Sequence, residues 1–165
     1  MFNIKMFFSM NEQLSVPKIL IVEDNKAVLM ALKEVLKDYK LSFATNGDQA
    51  IKIALSDNSP DLILLDVMMP GIDGFEVCKI LKSDNTTSSI PIIFLTGKSD
   101  SADELKGLKL GAVDYVRKPV SPPILRQRIK THLILKHAIE FFNKKTYGRQ
   151  QLAEVIQQIQ ERKIL

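Results

Sequence analysis

The sequence has little of what marks secreted and membrane-spanning proteins. It holds one cysteine, Cys78, among 165 residues, which excludes an intramolecular disulfide framework and fits a reducing compartment. No apolar run approaches the roughly 20 residues that a membrane-spanning helix needs. Hydrophobic residues make up 45% and charged residues 25% of the chain, as in ordinary globular proteins. We therefore expect a cytoplasmic location and no contact with a membrane.

Charge is divided unevenly along the chain. Residues 18–121 hold 13 Lys/Arg and 15 Asp/Glu, a net charge of −2, whereas residues 122–165 hold 9 and 3, a net charge of +6. A basic tail can indicate contact with nucleic acid. The basic residues of this tail are dispersed rather than clustered, which favours a solvated helix face. Nucleic acid is therefore not expected as a partner, and a salt-dependent DNA shift would test that alternative.

Apolar runs alternate with segments of helical periodicity. The runs, which predict strands, lie at 18–24, 41–45, 61–69, 90–97 and 112–119, and the helical segments lie at 25–38, 48–56, 73–83, 101–111 and from 121 onward. This alternation favours an α/β domain with a parallel sheet. The stretches 19–22, 62–65 and 92–95 are apolar throughout, as expected for strands that helices cover on both faces.

Polar side chains stand where these strands end. They are Glu23, Asp24, Asp66, Thr96 and Lys118. Right-handed crossovers place the carboxyl ends of parallel strands along one edge of the sheet, and ligands bind at that edge. Three neighbouring carboxylates repel one another unless a hard cation such as Mg²⁺ lies among them. A lysine beside them supplies a point charge for a phosphoryl group.

Several motifs in this order resemble the receiver domain of two-component response regulators. They are VEDN at 22–25, LLDVMMPGIDG at 64–74, FLTG at 94–97 and DYVRKP at 114–119. The resemblance implies a flavodoxin-like, doubly wound five-stranded parallel sheet of order 2-1-3-4-5 with five helices, followed by a C-terminal helical extension. We expect a flexible leader at 1–16, the receiver domain at 17–130 and a helical extension or coiled-coil linker at 131–165.

The resemblance also implies a phosphoacceptor and a metal site. Asp66 matches the carboxylate that takes a phosphoryl group. Asp24 matches a direct ligand of Mg²⁺, alongside Asp66 itself. Glu23 matches a residue that acts through a bound water, and the backbone carbonyl of Met68 matches the remaining protein ligand.

Further positions match the switch and its timing. Thr96 resembles the hydroxyl residue that contacts the phosphoryl group, Tyr115 the aromatic residue that moves with it, and Lys118 the lysine that pairs with carboxylate and phosphate. Met68 and Lys98 match the two positions that flank the path of attacking water. Because a thioether binds water weakly, we expect the phosphorylated state to last minutes or longer.

The partners implied are a sensor histidine kinase or a phosphotransfer protein. A homodimer is also implied, either through the face formed by helix 4, strand 5 and helix 5 at about 100–130 or through the C-terminal helix. The chain itself is not expected to be an enzyme beyond Mg²⁺-dependent self-phosphorylation and autodephosphorylation. A phosphatase with an Asp nucleophile would carry a second Asp where Met68 stands. A receiver used only as a phosphorylation-independent binding module would lack the acceptor, a metal carboxylate or the lysine, and none is missing.

The C-terminal part permits two interpretations. A 3–4 spacing that resembles a short coiled-coil seam is formed by Leu152, Val155, Ile156, Ile159 and Lys163. Such an extension resembles the connectors that join receivers to histidine kinase or cyclic-dinucleotide enzyme modules. The chain is thus either a stand-alone receiver or a fragment of a longer protein, and the fragment is favoured. Met1 and Met10 both remain possible natural starts.

Overall fold

The computed structural model of the chain describes residues 16–97 and 101–145, with residues 153, 156, 157 and 160. The strands are β1 Lys18–Val22, β2 Lys40–Ala44, β3 Leu62–Asp66, β4 Ile92–Thr96 and β5 Asp114–Arg117. The helices are α1 Lys26–Val35, α2 Gly47–Ala54, α3 Gly74–Ser83, α4 Ser101–Lys109 and α5 Pro122–Lys145. The expected leader apart from Val16, the position of Lys98, and the coiled-coil seam apart from Ile156 lie outside the described residues.

The five strands form one parallel sheet in the order β2-β1-β3-β4-β5. This confirms the predicted flavodoxin-like fold. The chain order reverses between β1 and β3, which are neighbours in the sheet. In open α/β sheets this reversal opens a crevice at the carboxyl ends of the two strands.

Helices cover both faces of the sheet. Successive residues of a strand point to opposite faces, and Ile19 and Leu20 of β1 accordingly belong to different core clusters. The cluster with Leu20 includes side chains from α2 and α3, namely Ala50, Ala54, Val77, Cys78 and Leu81. The cluster with Ile19 includes side chains from α1 and α5, namely Leu32, Leu125, Ile129 and Leu133. The fully apolar runs are therefore explained by burial on two sides.

Four of the five strands are shorter than the sequence predicts, namely β1, β3, β4 and β5. The apolar run at 61–69 predicts a longer β3, yet the strand ends at Asp66. Val67 and Met69 remain 6% and 8% exposed, so they are apolar because they pack in the core beyond the strand. β5 likewise covers only Asp114–Arg117. An apolar run in the sequence indicates buried residues, but it does not show where the pairing of a strand ends.

α5 is a single helix of 24 residues, which makes it about 36 Å long. It runs without a break through residue 130, where the receiver domain is expected to end. Its first half packs against the sheet through Leu125, Ile129 and Leu133. Within the described part of the chain, no helix has both the length and the apolar character needed to cross a bilayer.

Candidate functional site

Three carboxylates meet at the crevice between β1 and β3. Glu23 and Asp24 follow β1, Asp66 ends β3, and one oxygen from each lies within 4.8 Å of the others. Glu23 is 1% and Asp66 is 4% exposed, while Asp24 faces solvent. The sheet order thus brings together carboxylates that are 42 residues apart along the chain.

Lys118 extends into this cluster from the loop after β5. Its Nζ lies 2.6 Å from Oε2 of Glu23 and 3.1 Å from Oδ1 of Asp66. Burial raises the pKa of Glu23, the Asp66 charge adds to this, and Lys118 opposes it. Burial alone would lower the pKa of Lys118, but its bonds with the two carboxylates raise it. One ammonium against three carboxylates leaves a net charge of −2, and an all-oxygen donor set of this charge fits a divalent cation such as Mg²⁺.

Local hydrogen bonds orient the carboxylates. The backbone N–H of Asn25 donates to Oε1 of Glu23 at 3.1 Å, and the Asn25 side chain caps α1 by accepting from Ala27 and Val28. The N–H of Met68 donates to Oδ1 of Asp66 at 3.3 Å. Glu23 therefore has a donor on each oxygen, because Lys118 occupies the other.

Thr96 and Tyr115 share a small cavity, which is also lined by Val67, Phe75, Phe94, Leu108 and Asp114. Asp66 pairs with Leu95 in the sheet register, so Thr96 is the next residue of β4. The carbonyl of Thr96 accepts the N–H of Lys118 at 2.7 Å. The Lys118–Pro119 peptide bond is cis. One backbone contact thus connects the hydroxyl residue to the lysine.

Met68, two residues after Asp66, is 76% exposed. Lys98, its expected counterpart, lies outside the described residues.

Comparison with known proteins decides the family. Residues 19–130 match the family model described as the response regulator receiver domain. The chain belongs to the response regulator receiver family. Receiver domains are parts of two-component systems and bind Mg²⁺ at an acidic pocket, and Glu23, Asp24 and Asp66 form an acidic cluster of this kind here.

Relatives carry this receiver domain within longer chains. The chain is 45% identical over 130 residues to "Probable cyclic di-GMP phosphodiesterase" of Vibrio cholerae serotype O1, covering 78% of this chain and 29% of that protein. It is 43% identical over 119 residues to transcriptional regulatory protein AfsQ1 of Streptomyces coelicolor, covering 71% and 51%. The signal receiver domain of a histidine kinase from Syntrophus aciditrophicus is 37% identical, with a TM-score of 0.64 over 71% of this chain and 89% of that one.

Asp114 is a residue of the receiver domain that the sequence reasoning missed. It is 8% exposed and pairs with Arg128 through Oδ1 and with His132 through Oδ2, the latter at 3.0 Å. Burial alone would raise the pKa of Asp114, but the hydrogen bonds from His132 and Arg128 outweigh burial and lower it to about 2. The four-residue spacing of Arg128 and His132 was the available signal, because it places both on one helix face.

The lowered pKa of Asp114 predicts a pH-dependent stability. A carboxyl whose pKa is lower in the folded state stabilises that state above its unfolded pKa of 3.8 and ceases to do so as pH falls through about 2. The difference in unfolding free energy between wild type and Asp114→Asn should therefore shrink by about 2 kcal/mol between about pH 5 and pH 2. Urea denaturation across this range measures it, with the exposed Asp57→Asn as control. A difference that stays constant with pH would contradict the pairing.

Proposed function

We propose that this chain is a phosphorylation-dependent signalling switch in which Asp66 accepts a phosphoryl group. The donor is a sensor histidine kinase or a phosphotransfer protein. The observation that carries the proposal is the joint placement of Asp66, Lys118 and two further carboxylates in one crevice at the sheet edge. This arrangement contains a nucleophile, a cation beside it and an acidic donor set.

The transfer step follows from these groups. A carboxylate oxygen of Asp66 attacks the phosphorus of the donor, the P–N bond of a phosphohistidine breaks, and its electron pair stays on the imidazole. Lys118 neutralises charge on the phosphoryl oxygens, since phosphoryl transfer depends on positioning and charge more than on covalent chemistry. Mg²⁺, when bound by these carboxylates, would supply further neutralisation of the charge on the transferred group. Asp24, Asp66 and the carbonyl of Met68 are the proposed direct ligands, with Glu23 acting through water.

Thr96 and Tyr115 are the residues proposed to respond to the phosphoryl group on Asp66. The Thr96 hydroxyl moves to hydrogen-bond a phosphoryl oxygen, and Tyr115 follows into the cavity that both residues line. The affected face consists of α4, β5 and α5. Leu105, Leu108 and Ile124 on these elements are exposed apolar side chains, and we propose that this face or the C-terminal helix forms a homodimer.

The chain spans 29% and 51% of the lengths of the phosphodiesterase-named relative and of AfsQ1. We propose that this chain likewise controls an output module, that it acts in the cytoplasm, and that the catalytic activity, if the output is an enzyme, belongs to that module. The proposed division keeps a leader at 1–16, the switch at 17–130 and a connector at 131–165.

The lifetime of the phosphorylated state tests this function directly. After loading with acetyl phosphate and Mg²⁺ and removal of the donor, the phosphoryl group should persist for minutes or longer, because the exposed Met68 holds water poorly. Met68→Asn should shorten the half-life severalfold, since an amide can hydrogen-bond the attacking water. Intact-protein mass over time measures both. A half-life of seconds in the wild type would contradict the role given to Met68.

A further inference from the structure

Asp114, the first residue of β5, is held mainly from α5. Its carboxylate accepts the N–H of Tyr115 at 2.9 Å and pairs with the guanidinium of Arg128 and with Nε2 of His132. An ionised carboxylate can only accept hydrogen bonds, so Nε2 of His132 is the donor. His132 is itself 7% exposed. A buried anion with a buried imidazole partner keeps this geometry far better than a surface ion pair does.

The same residues touch the proposed switch. Asp114 forms part of the wall of the cavity that Thr96 and Tyr115 line. The guanidinium carbon of Arg128 lies 5.9 Å from the centroid of the Tyr115 ring, within the range of a cation–π contact. A rearrangement of Thr96 and Tyr115 must therefore either carry Arg128 and Asp114 along or break their contacts.

Arg128 and His132 begin a row of polar side chains along α5. Lys136 and Glu140 continue it at the same four-residue spacing, and we name these four residues the α5 ladder. Nζ of Lys136 lies 2.9 Å from Oε1 of Glu140 and 3.1 Å from Oδ1 of Asp61, just before β3. The ladder covers about 18 Å of helix. It ties α5 to the sheet at Asp114 and again at Asp61.

These contacts hold the second half of α5 against the domain. The side chain of Lys136 is 13% exposed, and Ala138 is fully buried. The helix beyond residue 132 is thus attached at two points, one next to Tyr115 and one at the amino end of the strand that carries Asp66. A change in the contact at Asp114 would therefore alter the position of the helix relative to its contact at Asp61.

We propose that Asp114 is a relay that, through Arg128 and His132, transmits the phosphorylation state of Asp66 from the Thr96–Tyr115 pair to the part of α5 beyond His132. The proposal rests on the proposed function. A relay differs from a clamp that only holds α5 in place, because a relay couples two sites and such coupling is reciprocal. Weakening the relay must then change how tightly the crevice binds a phosphoryl analogue, a property that a clamp confined to α5 does not affect.

The test uses the full chain with beryllofluoride and Mg²⁺ as the phosphoryl analogue. His132→Leu removes the donor to Asp114, His132→Gln keeps an amide donor of similar reach, and His137→Leu is the matched control on the same helix. Hydrogen–deuterium exchange reports residues 96–118 and 133–145 with and without the analogue. Titration calorimetry reports the affinity of each variant for it.

The relay predicts that the analogue changes exchange in both segments of wild type, His137→Leu and His132→Gln. In His132→Leu the response of 133–145 should be lost while that of 96–118 remains, and the affinity for the analogue should change about fivefold or more. An unchanged response of 133–145 and an unchanged affinity in His132→Leu would overturn the relay. If the wild type binds no analogue, the proposed function is contradicted, and the relay that depends on it is contradicted too. If His132→Leu does not fold, loss of the response in Asp114→Asn supports the relay, and its persistence overturns it.

Discussion

Lys118→Met is expected to destabilise the metal-free protein by about 3 kcal/mol, because it leaves two buried carboxylates without their cation. Glu23 and Asp66 are 1% and 4% exposed, and Lys118 contacts both. Without the ammonium, no positive charge offsets the repulsion between these two carboxylates in a poorly solvated crevice. Urea denaturation in EDTA measures the loss of unfolding free energy.

The same variant should recover much of its stability when Mg²⁺ is added or when the pH is lowered. A cation that binds only the folded state stabilises it by mass action, and the more negative cluster binds it more tightly. Burial already raises the pKa of Glu23 in the presence of Lys118, and losing the lysine raises it further. A group with a raised folded pKa favours the folded state at low pH. The difference in unfolding free energy between wild type and the variant should therefore shrink as the pH falls from about 7 toward 5.

Lys82→Met is the matched control for this prediction. Lys82 is also largely buried, but its ammonium donates to the carbonyls of Ser88 and Ile90 rather than to carboxylates. Its removal should therefore create no dependence of stability on Mg²⁺. If Lys118→Met is as stable as wild type in EDTA and indifferent to Mg²⁺, the three carboxylates are not coupled as described.

Gly74→Ala is expected to destabilise the domain by about 3 kcal/mol, at the upper end for overpacking. A Cβ at Gly74 would lie 2.2 Å from the carbonyl oxygen of Asp66 and 2.9 Å from Cα of Val67. Both are backbone atoms and cannot rotate away. The N–H of Gly74 donates to the carbonyl of Val67 at 3.0 Å, so α3 would have to withdraw from the strand end that carries the acceptor.

The direction of this effect is informative. Alanine in a helix is ordinarily favoured over glycine by roughly 0.5–1 kcal/mol, so loss of stability must come from the contact with Asp66 and Val67. Gly97→Ala is the control, because nothing lies within 4 Å of a Cβ at that position. Its unfolding free energy should change by less than about 0.5 kcal/mol. Equal stability of the two variants would show that the approach of Gly74 to Asp66 is not a constraint.

The fold could be predicted because its signals are local and repeated. Runs such as LILL at 62–65 can only be buried on both sides, and their alternation with helical segments favours a parallel sheet. The convergence of Asp24, Asp66 and Lys118 then follows from topology alone, since parallel strands end at one edge. The order of the strands required the resemblance of the motifs to a known family.

The contacts of α5 could not be predicted from the sequence. His132 lies on α5, and its partner Asp114 lies 18 residues earlier, on β5. That pairing depends on how the helix lies against the strand. The close approach of Gly74 to Asp66 is likewise a property of the tertiary structure.

The central claim, that Asp66 is the phosphoacceptor of a Mg²⁺-dependent switch, is tested most directly by intact-protein mass after incubation with acetyl phosphate. Wild type with Mg²⁺ should gain one phosphoryl group of about 80 Da, and the gain should be absent in Asp66→Ala and in wild type with EDTA. A wild-type chain that gains no mass, or an Asp66→Ala variant that still gains it, would contradict the claim.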